Sequence, residues 1–284
     1  MKPIKLIECP RDAMQGWKKN IPTNTKIEYI NQLLKVGFDT IDFGSFVSPK
    51  AIPQMADTNE VIEHLDLSNS KTKLLAIIAN VRGAEQAASH KKIDQFGYPF
   101  SISPTFQMRN ANSTIEESFE RVKEINTICR NTNKELVIYI SMAFGNPYND
   151  VYNESNILNW IEKLINEGIE IISLADTVGL ATASQVGALV KKVITKFPQI
   201  ETGVHLHASA EGWRPKIEAA YNEGCYRFDG SLNGVGGCPM AEDELVGNMN
   251  MQNMIQFFKE VQVAPQLDEN ALNASILMAN NIFK

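Results

Sequence analysis

One pattern occurs three times in the chain: a helix-like segment ends at a glycine and is followed at once by a short apolar run. The three copies are LLKVGFDTIDFG (33–44), LINEGIEIISLAD (164–176) and AAYNEGCYRFDG (219–230). Glycine suits the left-handed residue that closes a helix, and a short run rich in Ile, Phe or Tyr suits a buried strand. The repeated pattern is therefore typical of the helix-to-strand connections of a parallel sheet.

Eight strand-like runs alternate with helix-like segments. We predict strands at 4–8, 38–43, 73–79, 99–103, 136–142, 170–174, 201–206 and 226–229, and helices at 25–36, 113–130, 154–166, 184–197, 213–223 and 249–261. Thr25 with Glu28, and Ser113 with Glu116, have the spacing of helix capping boxes. The alternation predicts an α/β fold, either a (β/α)8 TIM barrel or a doubly wound open sheet.

Strand count and length favour the TIM barrel, and the segment after Gln266 predicts an extra C-terminal helix outside the eightfold repeat. The chain contains no linker-like or low-complexity stretch. We therefore expect residues 1–284 to form a single catalytic TIM-barrel domain. Hydrophobic residues make up 44% of the chain, which is enough for a large core.

Charge and composition exclude several classes of partner. The formal net charge is −6 and no basic stripe is present, which argues against nucleic-acid binding. No run approaches the ~20 apolar residues of a membrane span. The four cysteines show no CxxC spacing, and the N-terminal apolar run is too short for a signal peptide, so we expect a cytoplasmic protein. Most barrel enzymes are symmetric oligomers, and a homodimer is expected.

Polar residues close the predicted strands, at the rim where TIM barrels place their chemistry. They are Arg11, Asp12 and Gln15 after the first strand, Asp42 on the second, Asp176 and Thr177 after the sixth, His205 and His207 on the seventh, and Asp229 on the eighth. Side chains two residues apart on a strand point the same way. The two histidines are therefore expected to face the barrel axis and could hold one metal ion, although two polar residues bonded to backbone or water would give the same pattern. Asp12 could complete such a site or serve as a turn residue.

The loop NGVGGCPMA (233–241) is the other unusual stretch. Its glycines do not have the G-x-G-x-x-G spacing of a phosphate-binding loop. Two interpretations remain open from the residues alone. The loop is either a mobile flap that carries Cys238 as a proton donor or nucleophile, or an ordinary turn with a bystander cysteine.

Taken together, these motifs resemble the 3-hydroxy-3-methylglutaryl-CoA (HMG-CoA) lyases, which are metal-dependent TIM-barrel lyases related to Claisen-type synthases. The resemblance runs from residue 10 to about residue 258. Its motifs are PRDAMQ (10–15), SFVSPKAIPQMAD (45–57), FQMRNANSTIEES (106–118), YISMAFGNPY (139–148), SLADTVG (173–179), HLH (205–207), GVGGCP (234–239) and GN (247–248).

The resemblance implies a fold, a reaction and a set of site residues. It implies cleavage of HMG-CoA, or of a related 3-hydroxyacyl-CoA, to acetoacetate and acetyl-CoA. The implied metal is Mg²⁺ or Mn²⁺, held by Asp12, His205, His207 and Asn248. The implied catalytic residues are Arg11, Asp12, His205 and Cys238, and those near the substrate are Arg11, Gln15, Asp42, Asp176 and Thr177.

Some positions depart from the family pattern. Asp42 stands where the family has glutamate, Ala13 where it has glycine and Ala208 where it has aspartate. Asn146 replaces a frequent cysteine, and Gln252 and Asn253 replace acidic residues. Because residues behind the metal ligands tune substrate preference and metal affinity, three functions stay open: the lyase, a condensing enzyme or aldolase of the same superfamily, and a CoA-ester-binding protein without turnover.

Overall fold

A computed structural model describes residues 2–209, 211–237 and 246–284. Eight parallel strands form a closed barrel in chain order, with β1 pairing both β2 and β8. The strands are β1 (Lys5–Glu8), β2 (Thr40–Ser45), β3 (Lys73–Ile77), β4 (Gln95–Ser101), β5 (Glu135–Ser141), β6 (Ile171–Ala175), β7 (Glu201–His205) and β8 (Arg227–Gly230). The prediction of a TIM barrel is confirmed.

Helices surround the barrel. They are α1 (Pro10–Gln15), α2 (Thr23–Leu33), α3 (Thr58–Glu63), α4 (Val81–Ala88), α5 (Pro104–Ala111), α6 (Ile115–Thr132), α7 (Glu154–Asn166), α8 (Ala183–Lys196), α9 (Trp213–Asn222), α10 (Met251–Glu260) and α11 (Glu269–Ile282). Helix α11 is the extra C-terminal helix that was predicted. It lies against α2, where Phe283 meets the rings of Trp17 and Tyr29 edge-on at 5.4 and 6.4 Å.

The three glycine joints behave as the sequence predicts. Gly37, Gly168 and Gly224 have φ values of +92°, +83° and +91°, the left-handed region that side chains disfavour. Each is followed within three residues by the start of a strand, namely β2, β6 and β8. The helix-to-strand turn is therefore set locally by glycine.

Several predicted boundaries were wrong. Strand β4 begins at Gln95 instead of residue 99, because hydrogen bonding to both neighbouring strands overrides the weak strand preference of Gly97 and Pro99. A side chain at Gly97 would come within 2.5 Å of the Ile77 side chain, so the strand needs glycine there.

Both predicted capping boxes were also misplaced. Helix α6 has a true capping box, but it is formed by Thr114 and Glu117, one residue later than predicted. Helix α2 begins at Thr23 after Pro22 and has no side-chain cap, so Thr25 lies inside the helix. The short helices α1, α3, α4 and α5 were not predicted, since 6 to 8 residues give little periodic signal.

The interior of the barrel is divided into an apolar and a polar side. An apolar cluster from β3, β5 and β6 fills one side and comprises Leu75, Ile77, Val137, Tyr139 and Ile171. Charged side chains from β2, β7 and β8 fill the other side, where Asp42, Arg227 and Asp229 are almost fully buried. Ionised groups are costly to bury without partners, so the polar side is where chemistry is expected.

Candidate active site

Three potential metal ligands meet at the C-terminal rim of the barrel. His205 is the last residue of β7, His207 follows it, and Asp12 lies on α1 directly after β1. One ligand atom from each of these three residues lies within 4.8 Å of the other two. The two imidazole rings are 5.3 Å apart at right angles. We call Asp12, His205, His207 and the adjacent Asn248 the rim group.

Each histidine is oriented through its Nδ1 atom. His207 Nδ1 lies 2.7 Å from the backbone oxygen of Asp176, and His205 Nδ1 lies 3.3 Å from Asp229 Oδ2. These contacts favour the tautomer with the proton on Nδ1, in which Nε2 of each neutral ring could bind a metal ion. Burial and the neighbouring His205 lower the pKa of His207, which keeps its ring neutral.

Asn248 joins the rim group from the loop before α10. Its Nδ2 donates to Asp12 Oδ2 at 2.7 Å and to the Val235 carbonyl at 3.0 Å. Within the described part of the chain, Asn248 Oδ1 and His207 Nε2 are buried and have no hydrogen-bond partner. Buried polar atoms are seldom left unpaired, so both atoms are suited to bind a ligand.

The donor chemistry of the rim group fits a divalent cation. One carboxylate, two imidazole nitrogens and one amide oxygen are available, and oxygen donors suit Mg²⁺ or Mn²⁺. Although burial would raise it, Arg11 and the two histidines lower the pKa of Asp12 to about 2. The carboxylate is therefore ionised at neutral pH, as a metal ligand must be.

Arg11 is fixed beside the rim group by several partners. Its Nε and Nη2 atoms donate to Asp42 Oδ2 at 3.0 and 2.5 Å, and its Nη1 donates to Asp12 Oδ1 at 2.8 Å and Gln15 Oε1 at 2.9 Å. Burial raises the pKa of Asp42 to about 6, although Arg11 acts to lower it. Because this pKa is still below 7, the pair is ionised at neutral pH. The guanidinium is thus held with its charge directed at the site.

A cavity of about 180 Å³ opens at this point, and Arg11, Asp12, His205 and His207 line it. Its polar lining comprises Arg11, Asp12, Gln15, Asn110, Ser141, Thr177, His205 and His207. Its other side is apolar and includes Val47, Ile52, Ile77, Pro99, Phe106 and Tyr139. The cavity therefore suits a ligand with a polar, oxygen-rich centre and an apolar part.

The structure brings most of the predicted substrate residues to this cavity, but Asp176 takes a different position. Its side chain is 2% exposed and lies outside the cavity lining. Its Oδ2 accepts from Lys216 Nζ at 2.8 Å and its Oδ1 from the Ala181 backbone at 3.1 Å. Asp42 likewise lies behind Arg11, whereas Thr177 lines the cavity and accepts from the Met142 backbone at 2.9 Å.

Lys216 is a buried residue next to the rim group that the sequence did not indicate. It lies on α9, is 7% exposed, and its ammonium also donates to the backbone oxygen of His207 at 2.7 Å. It therefore ties the His207 loop to Asp176. In the sequence, the indication of burial is that Lys216 shares the buried side of α9 with Ile217 and Ala220. That pattern is too weak to predict a role for the lysine.

Cys238 lies outside the described residues. The described start of its loop packs against the rim group, because Gly236 has φ +112° and a side chain there would come within 2.4 Å of Asn248 Nδ2. The same side chain would lie 3.1 Å from the backbone of Ala13. Glycine at position 236 therefore lets the loop backbone approach Asn248 and Ala13 closely.

The fold and the rim group define a TIM-barrel enzyme with a possible metal-binding site at the C-terminal rim of the barrel. Comparison with known proteins identifies its family. The HMGL-like family model matches residues 4–276, so the chain belongs to the HMGL-like family. The resemblance drawn from sequence motifs and the prediction of a lyase are confirmed.

Two relatives from bacteria are each about 30% identical to this chain. The hydroxymethylglutaryl-CoA lyase YngG of Bacillus subtilis is 31% identical over 254 residues, which are 89% of this chain and 84% of the relative. A 3-hydroxy-3-isohexenylglutaryl-CoA/hydroxymethylglutaryl-CoA lyase of Pseudomonas aeruginosa is 30% identical over 273 residues, 95% of this chain and 90% of the relative.

One solved structure is especially informative. An HMG-CoA lyase from Acinetobacter baumannii, in complex with coenzyme A and 3-methylmalate, superposes with a TM-score of 0.91 at 30% identity. The match covers 99% of this chain and 91% of that one. Among the described residues, no helix has the length and apolar character required to cross a membrane.

Proposed function

We propose that this chain cleaves HMG-CoA, or a close 3-hydroxyacyl-CoA relative, to acetoacetate and acetyl-CoA. The observation that carries the proposal is the cavity that Arg11 lines together with Asp12, His205 and His207 of the rim group. Cleavage of a 3-hydroxyacyl thioester needs both features, a site that activates the hydroxyl and a cation for the thioester oxygen. The names of the relatives support the same activity.

The proposed reaction requires a base for the hydroxyl proton and a cation for the thioester oxygen. Asp12 or His205 takes the proton of the tertiary hydroxyl, because both line the cavity beside Arg11. The bond between carbons 2 and 3 then breaks, carbon 3 becomes the ketone of acetoacetate, and the electron pair passes into the thioester. Arg11 stabilises the resulting enolate oxygen through a charge-assisted hydrogen bond.

The divalent cation is Mg²⁺ or Mn²⁺ in this proposal, and Asp12, His205, His207 and Asn248 hold it. When bound, the cation lowers the pKa of the substrate hydroxyl and orients it for deprotonation. The two unpaired atoms, His207 Nε2 and Asn248 Oδ1, support this assignment.

Cys238 is proposed to protonate carbon 2 of the enolate, which completes acetyl-CoA. The proposal rests on its place in the GVGGCP motif. The packing of Gly236 against Asn248 supports it, since the chain reaches Gly236 directly beside the rim group.

Gln15 and Thr177 are proposed to contact the substrate from the cavity wall. Asp42 and Asp176 are proposed to act indirectly, Asp42 through Arg11 and Asp176 through Lys216.

The wider assignments are also proposals. Residues 1–284 act as one catalytic unit, in a homodimer, in the cytoplasm. The three described cysteines, Cys9, Cys129 and Cys225, are free, which fits a reducing compartment. The proposed candidates for binding the CoA phosphates are Lys18, Lys19, Lys50 and Arg109, all of which are exposed.

A product assay tests the function. Purified protein with Mn²⁺ is expected to release acetoacetate and acetyl-CoA from HMG-CoA, and a chelator is expected to stop the release. Arg11→Gln should lower kcat by about 10²- to 10³-fold, the effect of losing one oxyanion donor. Arg214→Gln, an exposed arginine paired with Glu260, is the matched control.

Two outcomes would contradict the proposal. Folded, metal-loaded protein that releases no keto acid from a panel of branched 3-hydroxyacyl-CoA esters would exclude the lyase. Release of free CoA from acetyl-CoA together with a 2-oxo acid would favour the condensing enzyme instead.

A further inference from the structure

A second set of potential metal ligands lies beneath the rim group and shares His205 with it. One ligand atom each from Cys9, His205 and Asp229 lies within 4.8 Å of the other two. Cys9 sits between β1 and α1, and its backbone nitrogen donates to the Gly230 oxygen at 2.8 Å. This bond ties the thiol to the end of β8, beside Asp229. We call Cys9, His205 and Asp229 the inner group.

The inner group contains an unsatisfied buried carboxylate oxygen. Asp229 is 1% exposed, and its Oδ1 has no hydrogen-bond partner among the described residues. The nearest cation, Arg227 Nε, is 4.0 Å away, beyond hydrogen-bond length. Within residues 2–209, 211–237 and 246–284, the Cys9 thiol is 1% exposed and donates to the Ile7 carbonyl at a long 3.6 Å. Among the described residues, the Oδ1 atom of Asp229 and the Cys9 thiol therefore lack a short hydrogen bond.

The surrounding charges favour a cation at the inner group. Three buried carboxylates, Asp12, Asp42 and Asp229, face two buried guanidinium groups, Arg11 and Arg227. Arg11 is paired with Asp42 and Asp12, and Arg227 is paired with Glu201, so the three carboxylates keep the surroundings of the Cys9 thiol negative. Thiolate and imidazole together select soft or borderline dications over Mg²⁺ and Mn²⁺.

We propose that Cys9, Asp229 and His205 Nδ1 form a second cation site that takes a thiophilic dication such as Zn²⁺ or Cd²⁺. We further propose that its occupation excludes the cation of the rim group and inhibits the enzyme. The inhibition depends on the proposed function, whereas the binding site does not.

The exclusion follows from the proton of one imidazole ring. With Asp229 as acceptor, His205 Nδ1 carries the proton and Nε2 has the free lone pair. A cation at the inner group takes Nδ1, and the ring proton moves to Nε2, which can then no longer bind a metal in the rim group. The Cys9 thiol proton leaves to solvent, so binding releases one proton for each cation.

Cadmium titration tests the site without any substrate. Chelator-treated protein receives Cd²⁺, and the ultraviolet charge-transfer band of a cadmium–thiolate bond reports the ligand. We expect the band in the wild type, in Cys225→Ala and in Cys238→Ala, and we expect its loss in Cys9→Ala. A band that survives in folded Cys9→Ala, or that disappears in Cys238→Ala, would overturn the proposal.

Asp229→Asn gives an independent second test, since it keeps the shape of the side chain and removes the charge. Cd²⁺ affinity should fall by at least about tenfold, the lower end of the losses seen when groups around a metal are altered. Unchanged affinity would count against Asp229 as a ligand.

Competition separates the inner site from the proposed function. Mn²⁺ bound to the wild type, measured by electron paramagnetic resonance, should be released by one equivalent of Cd²⁺, and Cys9→Ala should need at least about ten times more. Lyase activity of the wild type with Mn²⁺ should fall as Cd²⁺ is added, and Cys9→Ala should need at least about ten times more Cd²⁺ for the same loss. A wild type that binds Cd²⁺ through Cys9 but shows no lyase activity would refute only the proposed function.

Discussion

Replacement of Asp42 by asparagine tests whether Arg11 must be held in place for catalysis. Asp42 is 1% exposed and accepts from both Nε and Nη2 of Arg11. Asparagine keeps the shape and one acceptor oxygen but removes the charge. Breaking a buried ion pair on one side costs about 3 to 5 kcal/mol, because the remaining charge stays buried.

That free energy has two expected effects. Part of it lowers the free energy of unfolding, and part appears as freedom of the Arg11 side chain, which loses its orientation toward the substrate oxyanion. If about 3 kcal/mol reaches the transition state, kcat/KM falls by about 150-fold. The bonds of Arg11 to Asp12 and Gln15 remain, so complete loss of activity is not expected.

The assay is steady-state turnover of HMG-CoA at saturating Mn²⁺, with a thermal melt of each variant. Asp42→Glu keeps the carboxylate and has the residue type found at this position in the resembling family, so it should retain activity within about tenfold. Asp66→Asn, an exposed loop aspartate that accepts from Ser68, is the control. Near-normal kcat/KM in folded, metal-loaded Asp42→Asn would refute the reasoning.

Three further predictions concern residues away from the reacting atoms. Burial raises the pKa of Glu8 from 4.5 to about 8, so between these pH values the folded protein keeps a proton that the unfolded chain has lost. The free energy of unfolding of the wild type should therefore fall by up to about 1.4 kcal/mol per pH unit as the pH rises from 5 to 8. Urea unfolding of Glu8→Gln should not show this dependence on pH. Lys216→Met should weaken Mn²⁺ binding by about 10- to 100-fold in calorimetry, with partial recovery in Lys216→Arg, because the His207 loop loses its anchor; equal affinities would deny that role. Gly236→Ala should lower Mn²⁺ affinity and activity together, since its side chain would collide with Asn248, and normal values for both would show that the loop can move away.

The sequence predicts the barrel well because its strongest signals are local. The glycine joints at Gly37, Gly168 and Gly224 depend on the conformation of single residues, which the chain fixes by itself. The edges of β4 depend on hydrogen bonds to β3 and β5 instead, and no local pattern encodes them. Short helices such as α1 were missed for the related reason that packing, more than propensity, stabilises them.

The residues of the site can also be divided into those that local sequence predicts and those that depend on long-range contacts. The spacing of His205 and His207 places both on one face, and their approach to Asp12 follows once the strands are known to form a closed barrel. The roles of Lys216 and Asp229 depend on contacts across 9 and 24 residues of chain. Such contacts depend on how α9 and β8 pack, and the identity of one buried lysine or aspartate does not predict them.

Direct Mn²⁺ binding tests the central claim most directly, since the whole account requires the rim group to hold a divalent cation. Chelator-treated wild type and His207→Ala are titrated with Mn²⁺ by electron paramagnetic resonance, with the exposed His64→Ala as control. The account predicts a single tight site in the wild type and in His64→Ala, and its loss in folded His207→Ala. The same stoichiometry and affinity in all three proteins would contradict it.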